Sequence, residues 1–227
     1  MSQPRKAACE LLILGVLTTT FLVLFPRRPI YVDAGLGLLG LSLVLLTASH
    51  TWRHYWSQCR LDAEQTLQQN AARLTWVLTG LVMLLFLIIG IAIGHKGAGW
   101  PGAAKRILHP YMPLAFVLYF PWTWLQQTLF QFYLLSRLRV LCGDAPPLVP
   151  STVGGFLFGA VHLPDVAVAV PAVIGGTIWS ALYLQSRRIW PLAVSHALVG
   201  TTFYYWVYGL DLAGRWSALV AGFITTR

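Results

Sequence analysis

The chain is dominated by a succession of apolar stretches, most near the roughly 20 residues that a helix needs to cross a bilayer core. They are separated by short basic or proline-rich breaks such as "PRRP" and "GDAPPLVP". Hydrophobic residues make up 57% of the 227 and charged residues only 10%, against about 25% charged in a soluble domain. Most of the surface must therefore face something other than water. The pattern predicts an all-α polytopic transmembrane bundle of about eight spans, near 8–25, 30–49, 74–94, 111–141, 151–163, 166–186, 189–208 and 212–225. The 111–141 stretch exceeds one span and holds Pro113 and Pro121, which predicts a tilted or broken helix. The connection at 50–73 predicts an interfacial helix with Trp52, Trp56 and Leu61 towards headgroups. The N-terminal apolar run lacks a small-x-small cleavage pattern after it and reads as a retained first span.

A formal charge of +9 could suggest nucleic acid, but the Lys and Arg residues cluster between apolar runs, as the positive-inside bias produces. No nucleic-acid partner is expected. Cys9, Cys59 and Cys142 lie far apart, in no metal-ligand spacing and with no disulfide pattern. Ten tryptophans and nine tyrosines suit interfacial belts.

Polar side chains inside spans are costly and become functional candidates by default. Gln126, Gln127 and Gln131 fall in the fourth span, His162 near the end of the fifth and His196 in the seventh. Gln127 and Gln131 share a helix face at i, i+4 spacing, as do Phe158 with His162 and His196 with Gly200. Three helices are thus expected to point polar groups at one pocket walled by Phe158, with Gly154, Gly155 and Gly159 allowing close helix approach. Taken singly, each His could bond a neighbouring carbonyl, and the glutamines could be interhelical glue.

Taken together, "QQTLFQ" (126–131), "FGAVHLPD" (158–165) and "RRIWPLAVSHALVG" (187–200) resemble the three elements of the CPBP family. That family includes type II CAAX prenyl endopeptidases and bacteriocin-processing proteins, and its elements read EExxxR, FxxxH, and Trp-Pro followed by HxxxN or HxxxD. The resemblance spans roughly 110–205. It suggests N-terminal transmembrane helices and an interfacial connection over 1–105, and catalytic-core helices over 106–227. It implies an intramembrane endopeptidase acting on a membrane-associated or membrane-anchored peptide or protein, with the bilayer as its other partner. His162 and His196 are the matched catalytic positions. Gln126 and Gln127 stand where the family has glutamates, Gln131 where it has arginine, and Gly200 where it has Asn or Asp. No cofactor is expected, although a divalent metal at His162 and His196 stays open.

The departures matter because a carboxylate can take a proton from water and an amide cannot. Two histidines also leave a catalytic zinc short of its usual three protein ligands. Several readings remain open for the glutamines. The chain could be an engineered Glu→Gln form, inactive or substrate-trapping, or a natural non-catalytic scaffold or peptide-binding member. It could also draw on another carboxylate, Asp165 being nearest. A divergent subfamily with Gln131 and one glutamate replaced combines the first two. A small-solute transporter is the weaker alternative, since no repeat or paired broken helices occur.

With eight spans, one side of the membrane carries ten of the sixteen basic residues. This places both termini in the cytoplasm of a bacterial inner membrane. An Arg187→Cys protein is accordingly expected to react with an impermeant thiol reagent only from the cytoplasmic side. Labelling only from outside would invert the orientation.

Overall fold

The computed structural model describes residues 2–24, 30–57 and 65–225, and every regular element among them is helical. The elements are α1 (Gln3–Leu24), α2 (Ile30–Thr51), α3 (Gln65–Ile107), α4 (Met112–Gln127), α5 (Leu135–Cys142), α6 (Leu148–Ala160), α7 (Val166–Ser186), α8 (Ile189–Thr202) and α9 (Leu212–Thr225). Three π-helical segments continue helices: Trp52–Trp56 after α2, Thr128–Leu134 between α4 and α5, and Phe203–Tyr208 after α8. By length and composition, helices at Gln3–Leu24, Gly35–Trp56, Gln68–Ile107 and Val166–Ser186 can cross a membrane. Their apolar side chains point outward, with Leu12 and Leu46 69% and 84% exposed, as lipid contact requires. This is an integral membrane protein. Of the other expected spans, 111–141 and 189–208 run on continuously through α- and π-helical turns, from Met112 to Cys142 and from Ile189 to Tyr208, whereas 151–163 and 212–225 fall on shorter helices. The 13 residues of α6, for example, reach only about 20 Å at 1.5 Å per residue.

Packing divides the chain into two units that interleave in sequence, 1–72 with 125–192 and 73–124 with 193–227. In the first, α6 and α7 approach so closely that side chains are excluded from the contact. A Cβ on Gly155 would collide with Thr177, one on Gly159 with Val173, and one on Gly154 would sit 3.2 Å from Ser180 Oγ. The close approach expected of these glycines is present. Without a hydrophobic drive between helices in lipid, this backbone proximity supplies the dispersion contacts that hold the pair together.

The same unit buries a charge. Arg137 is 0% exposed, and its guanidinium lies between the rings of Tyr133 and Tyr55, at 3.7 and 4.4 Å from their centroids. Its Nε donates to Glu10 Oε2 at 2.7 Å, and Nη1 donates to Thr51 Oγ1, Ser136 Oγ and the Tyr133 carbonyl. Tyr55 donates its hydroxyl to the other Glu10 oxygen at 3.2 Å. One side chain of α5 is thereby tied to α1 and to the end of α2. Arg137, counted above among the charges of the polar connections, is therefore a core residue, because Glu10 and two aromatic faces replace its water.

Trp56 also departs from expectation. It is 5% exposed and donates its indole N–H to the Phe132 carbonyl at 2.9 Å, so it faces the unit's interior, whereas Trp52 is exposed. The reason is its pairing: the Trp56 indole has the Phe132 carbonyl as acceptor and the Tyr183 ring edge-on at 5.5 Å between centroids. Leu61, Cys59, Arg27 and Arg28 lie outside the described residues.

In the second unit, α3 breaks at Ala98 and Gly99, the latter with φ 65°. The segment expected as a loop after residue 94 is mostly helical on both sides of that break. Gly99 takes the left-handed conformation that other residues resist, and Pro101 follows in the new first turn, where its missing N–H costs nothing. Residues after the break fold back on the turn before it, since a Cβ on Gly94 would lie 2.7 Å from the Ala103 Cα. Thr123 Oγ1 bonds the Ala193 carbonyl at 3.0 Å, and Thr79 shares a 2.6 Å hydroxyl contact with Ser195. These two bonds fix α8 against α4 and α3.

Removing one partner of a buried ion pair strands the other charge and costs about 3–5 kcal/mol. Glu10 is partly exposed, so the lower end applies. Glu10→Ala should lower unfolding stability in detergent by about 3 kcal/mol. Glu10→Gln, which keeps an acceptor, should lose less. Equal stability of all three proteins on thermal unfolding would refute this role.

Candidate functional site

The candidate polar residues divide between the two units. Gln126, Gln127 and Gln131 close α4 and enter the π-helical segment 128–134 of the first unit. Gln127 and Gln131 are 1% and 2% exposed and Gln126 is half-buried. The Oε1 atoms of Gln126 and Gln131 are buried and accept no hydrogen bond. A buried amide oxygen without a donor costs about 1–3 kcal/mol. Among the described residues these acceptors meet no donor, which suits them to a donor brought by a ligand. The π-helical widening was not foreseen in sequence. Such widenings are frequent at functional sites.

The widened segment packs on α6 through Phe130 and Phe158, whose rings stand edge-to-face with centroids 4.9 Å apart. Phe158 is 3% exposed and meets Trp179 of α7 and, at 5.0 Å, the ring of His162. It packs between the widened segment, α7 and His162. Gly176 gives it room, since a Cβ there would lie 3.0 Å from the Phe158 Cβ.

His162 lies in the turn that follows α6. Its Nδ1 is 2.7 Å from the Phe158 carbonyl oxygen. A carbonyl can only accept, so Nδ1 is the donor in this contact. The same turn places Asp165 at the N-cap of α7, where Oδ1 accepts from the Val168 N–H at 3.3 Å. The alternative carboxylate thus has a structural task, capping a helix.

In the second unit, His196 is 4% exposed within α8. The ring of Tyr119, from α4, stands edge-on to it with centroids 5.9 Å apart. A Cβ on Gly200, one turn further along α8, would fall 2.7 Å from Tyr119 Cε1 and 3.4 Å from its hydroxyl oxygen. Tyr119 therefore occupies the space that a side chain at 200 would need. Among the described residues, no three His, Cys, Asp or Glu side chains gather as a metal site.

Sequence reasoning missed Trp56 and Tyr119. Trp56 ties the widened segment to α2, and the guanidinium of Arg187 stacks on its indole at 3.6 Å. Its signal was hidden because tryptophans near span ends ordinarily read as interfacial. The signal for Tyr119 was the glycine at 200, which leaves a gap that some large residue has to fill.

No curated protein and no solved structure matches the chain. Residues 109–202, which hold the three glutamines, both histidines and Gly200, match the family model described as type II CAAX prenyl endopeptidase Rce1-like, the family to which the sequence motifs point.

Proposed function

We propose that this chain is an intramembrane endopeptidase of the CAAX-protease type in which the general base has been replaced, so that it binds a membrane-anchored peptide without cutting it. The observation that carries this reading is the pair of buried, donor-less amide oxygens on Gln126 and Gln131. They lie on a segment that packs through Phe130 and Phe158 on the element carrying His162. An extended peptide or a water brings N–H or O–H donors to such acceptors. In an active relative of this arrangement, a glutamate at 126 or 127 takes a proton from water, and the resulting hydroxide attacks the scissile carbonyl. His162, held by its Nδ1 contact with the Phe158 carbonyl, is assigned the orienting of that water. His196 is assigned the same reaction as a donor to the developing oxyanion. With glutamine present, the amide orients the water but accepts no proton. The chain is assigned to a bacterial inner membrane with both termini cytoplasmic.

Loss of a general base typically costs 10²–10⁴-fold in rate. The unaltered chain should therefore cleave no detectable co-expressed membrane-anchored substrate. Gln126→Glu should restore cleavage, with Gln127→Glu second, and His162→Ala or His196→Ala in the restored protein should abolish it again. Robust cleavage by the unaltered chain would refute the role given to the glutamines. Retention of substrate without cleavage by either restored variant would favour a peptide-binding scaffold.

A further inference from the structure

The second unit holds a cavity of about 470 Å³ whose walls include Gly94, Lys105, Arg106, His109, Gly209 and Asp211. Its chemistry is unrelated to the glutamines and histidines above. Three of its side chains are basic or can become so, and one is acidic. Arg106 is fixed in place: Nε donates to the Trp206 carbonyl and Nη2 to the Val207 carbonyl, each at 2.5 Å. Gly209, at φ 78°, lets the guanidinium lie against the backbone, since a Cβ there would fall 2.9 Å from Nη2. No other residue adopts that backbone as readily. Two bonds and a flat contact pre-organise the group, and its Nη1 has no acceptor among the described residues.

Two further donors stand beside it. Lys105 is exposed, and its side chain makes no hydrogen bond among the described residues. His109 contacts the Tyr205 ring with centroids 4.9 Å apart, and its buried Nδ1 has no partner. Asp211 opposes these charges only weakly. Its oxygens already accept from the Tyr205 hydroxyl at 2.6 Å and the Gly214 N–H at 3.0 Å, while His109 Nε2 stands 3.9 Å away. Partial burial pushes the Asp211 carboxyl up, but the Gly214 N–H, the Tyr205 hydroxyl, His109 and the Ala213 N–H outweigh it and hold it below the usual carboxylate range. The carboxylate is thus spent on the first turn of α9, and the cavity keeps a surplus of positive donors.

We propose that this cavity binds a phosphate ester, supplied by the headgroup of an anionic phospholipid. A pre-organised guanidinium with a neighbouring ammonium and imidazole presents convergent donors to the oxygens of a phosphate group. The apolar rim, Ile93 and Leu210, suits the start of an acyl chain. The cavity lies beside the break at Ala98 and Gly99, and the helical turn after that break ends in Lys105 and Arg106.

The test uses the full chain, delipidated in detergent, titrated with dimyristoyl phosphatidylglycerol or the phosphatidylcholine of equal chain length and followed by native mass spectrometry. Phosphatidylglycerol should bind in preference to phosphatidylcholine. Lys105→Glu, at an exposed side chain without hydrogen bonds, should weaken that binding about tenfold. Lys96→Glu, on the same helix but outside the cavity wall, should leave it unchanged. Equal binding of the two lipids, no effect of Lys105→Glu, or an equal loss from Lys96→Glu would each overturn the proposal. Inorganic phosphate is then added as competitor. Displacement of the lipid would show that free phosphate fills the site and would overturn the assignment to a lipid headgroup, and persistence of the lipid would support it.

Discussion

A peptide group in hydrocarbon has to find its hydrogen-bond partner within the chain, and much of this structure follows from that constraint. It explains why the described elements are helical, and it explains what happens where a helix is irregular. The three π-helical segments alter the regular ladder, and side chains reach carbonyls in all of them, Ser57 that of Arg53 in the first. Trp56 bonds the Phe132 carbonyl, Arg137 and Ser136 that of Tyr133, and Arg106 those of Trp206 and Val207. Each donor comes with a structural consequence. The Trp56 bond joins the end of α2 to the glutamine-bearing segment, and the Arg106 bonds join the end of α3 to the segment after α8.

Arg137 shows how far the chain goes to keep such a donor. A guanidinium removed from water is tolerable only when opposite charge, acceptors and polarisable faces surround it. Here Glu10 supplies the charge, Thr51, Ser136 and Tyr133 the acceptors, and two tyrosine rings the faces. The arrangement gives α1 a defined partner in α5, although α1 is otherwise largely apolar and lipid-facing. Its contribution is therefore one of register as much as of energy, since a sliding apolar helix has few other polar contacts to stop it.

The membrane class and the helical fold were legible because they depend on periodicity and on local spacing. Close packing of α6 and α7 was legible for the same reason, since Gly154, Gly155 and Gly159 have few other uses in an apolar helix. What depended on long-range pairing was not. Nothing local to Glu10 announces Arg137, 127 positions away, and nothing local to Trp56 announces the Phe132 carbonyl. The π-helical widening at 128–134 was hidden too, because it is a choice between two ladders that the same residues can make. The likeness of residues 126–131, 158–165 and 187–200 to the CAAX-protease elements was legible, and residues 109–202 carry that family's pattern.

The contact between Gly200 and Tyr119 has a consequence for how such a chain can change over time. Position 200 cannot gain a side chain while a tyrosine occupies the neighbouring space, because the new Cβ would overlap the ring. Position 119 cannot lose its ring without opening a void beside His196, at a cost that grows with the void's volume. Each single step is thus unfavourable, although the exchange of both is sterically open. The two sites are locked into an order of substitution, the ring shrinking before the glycine is filled. A lineage that has taken the glycine and the tyrosine together has no direct way back.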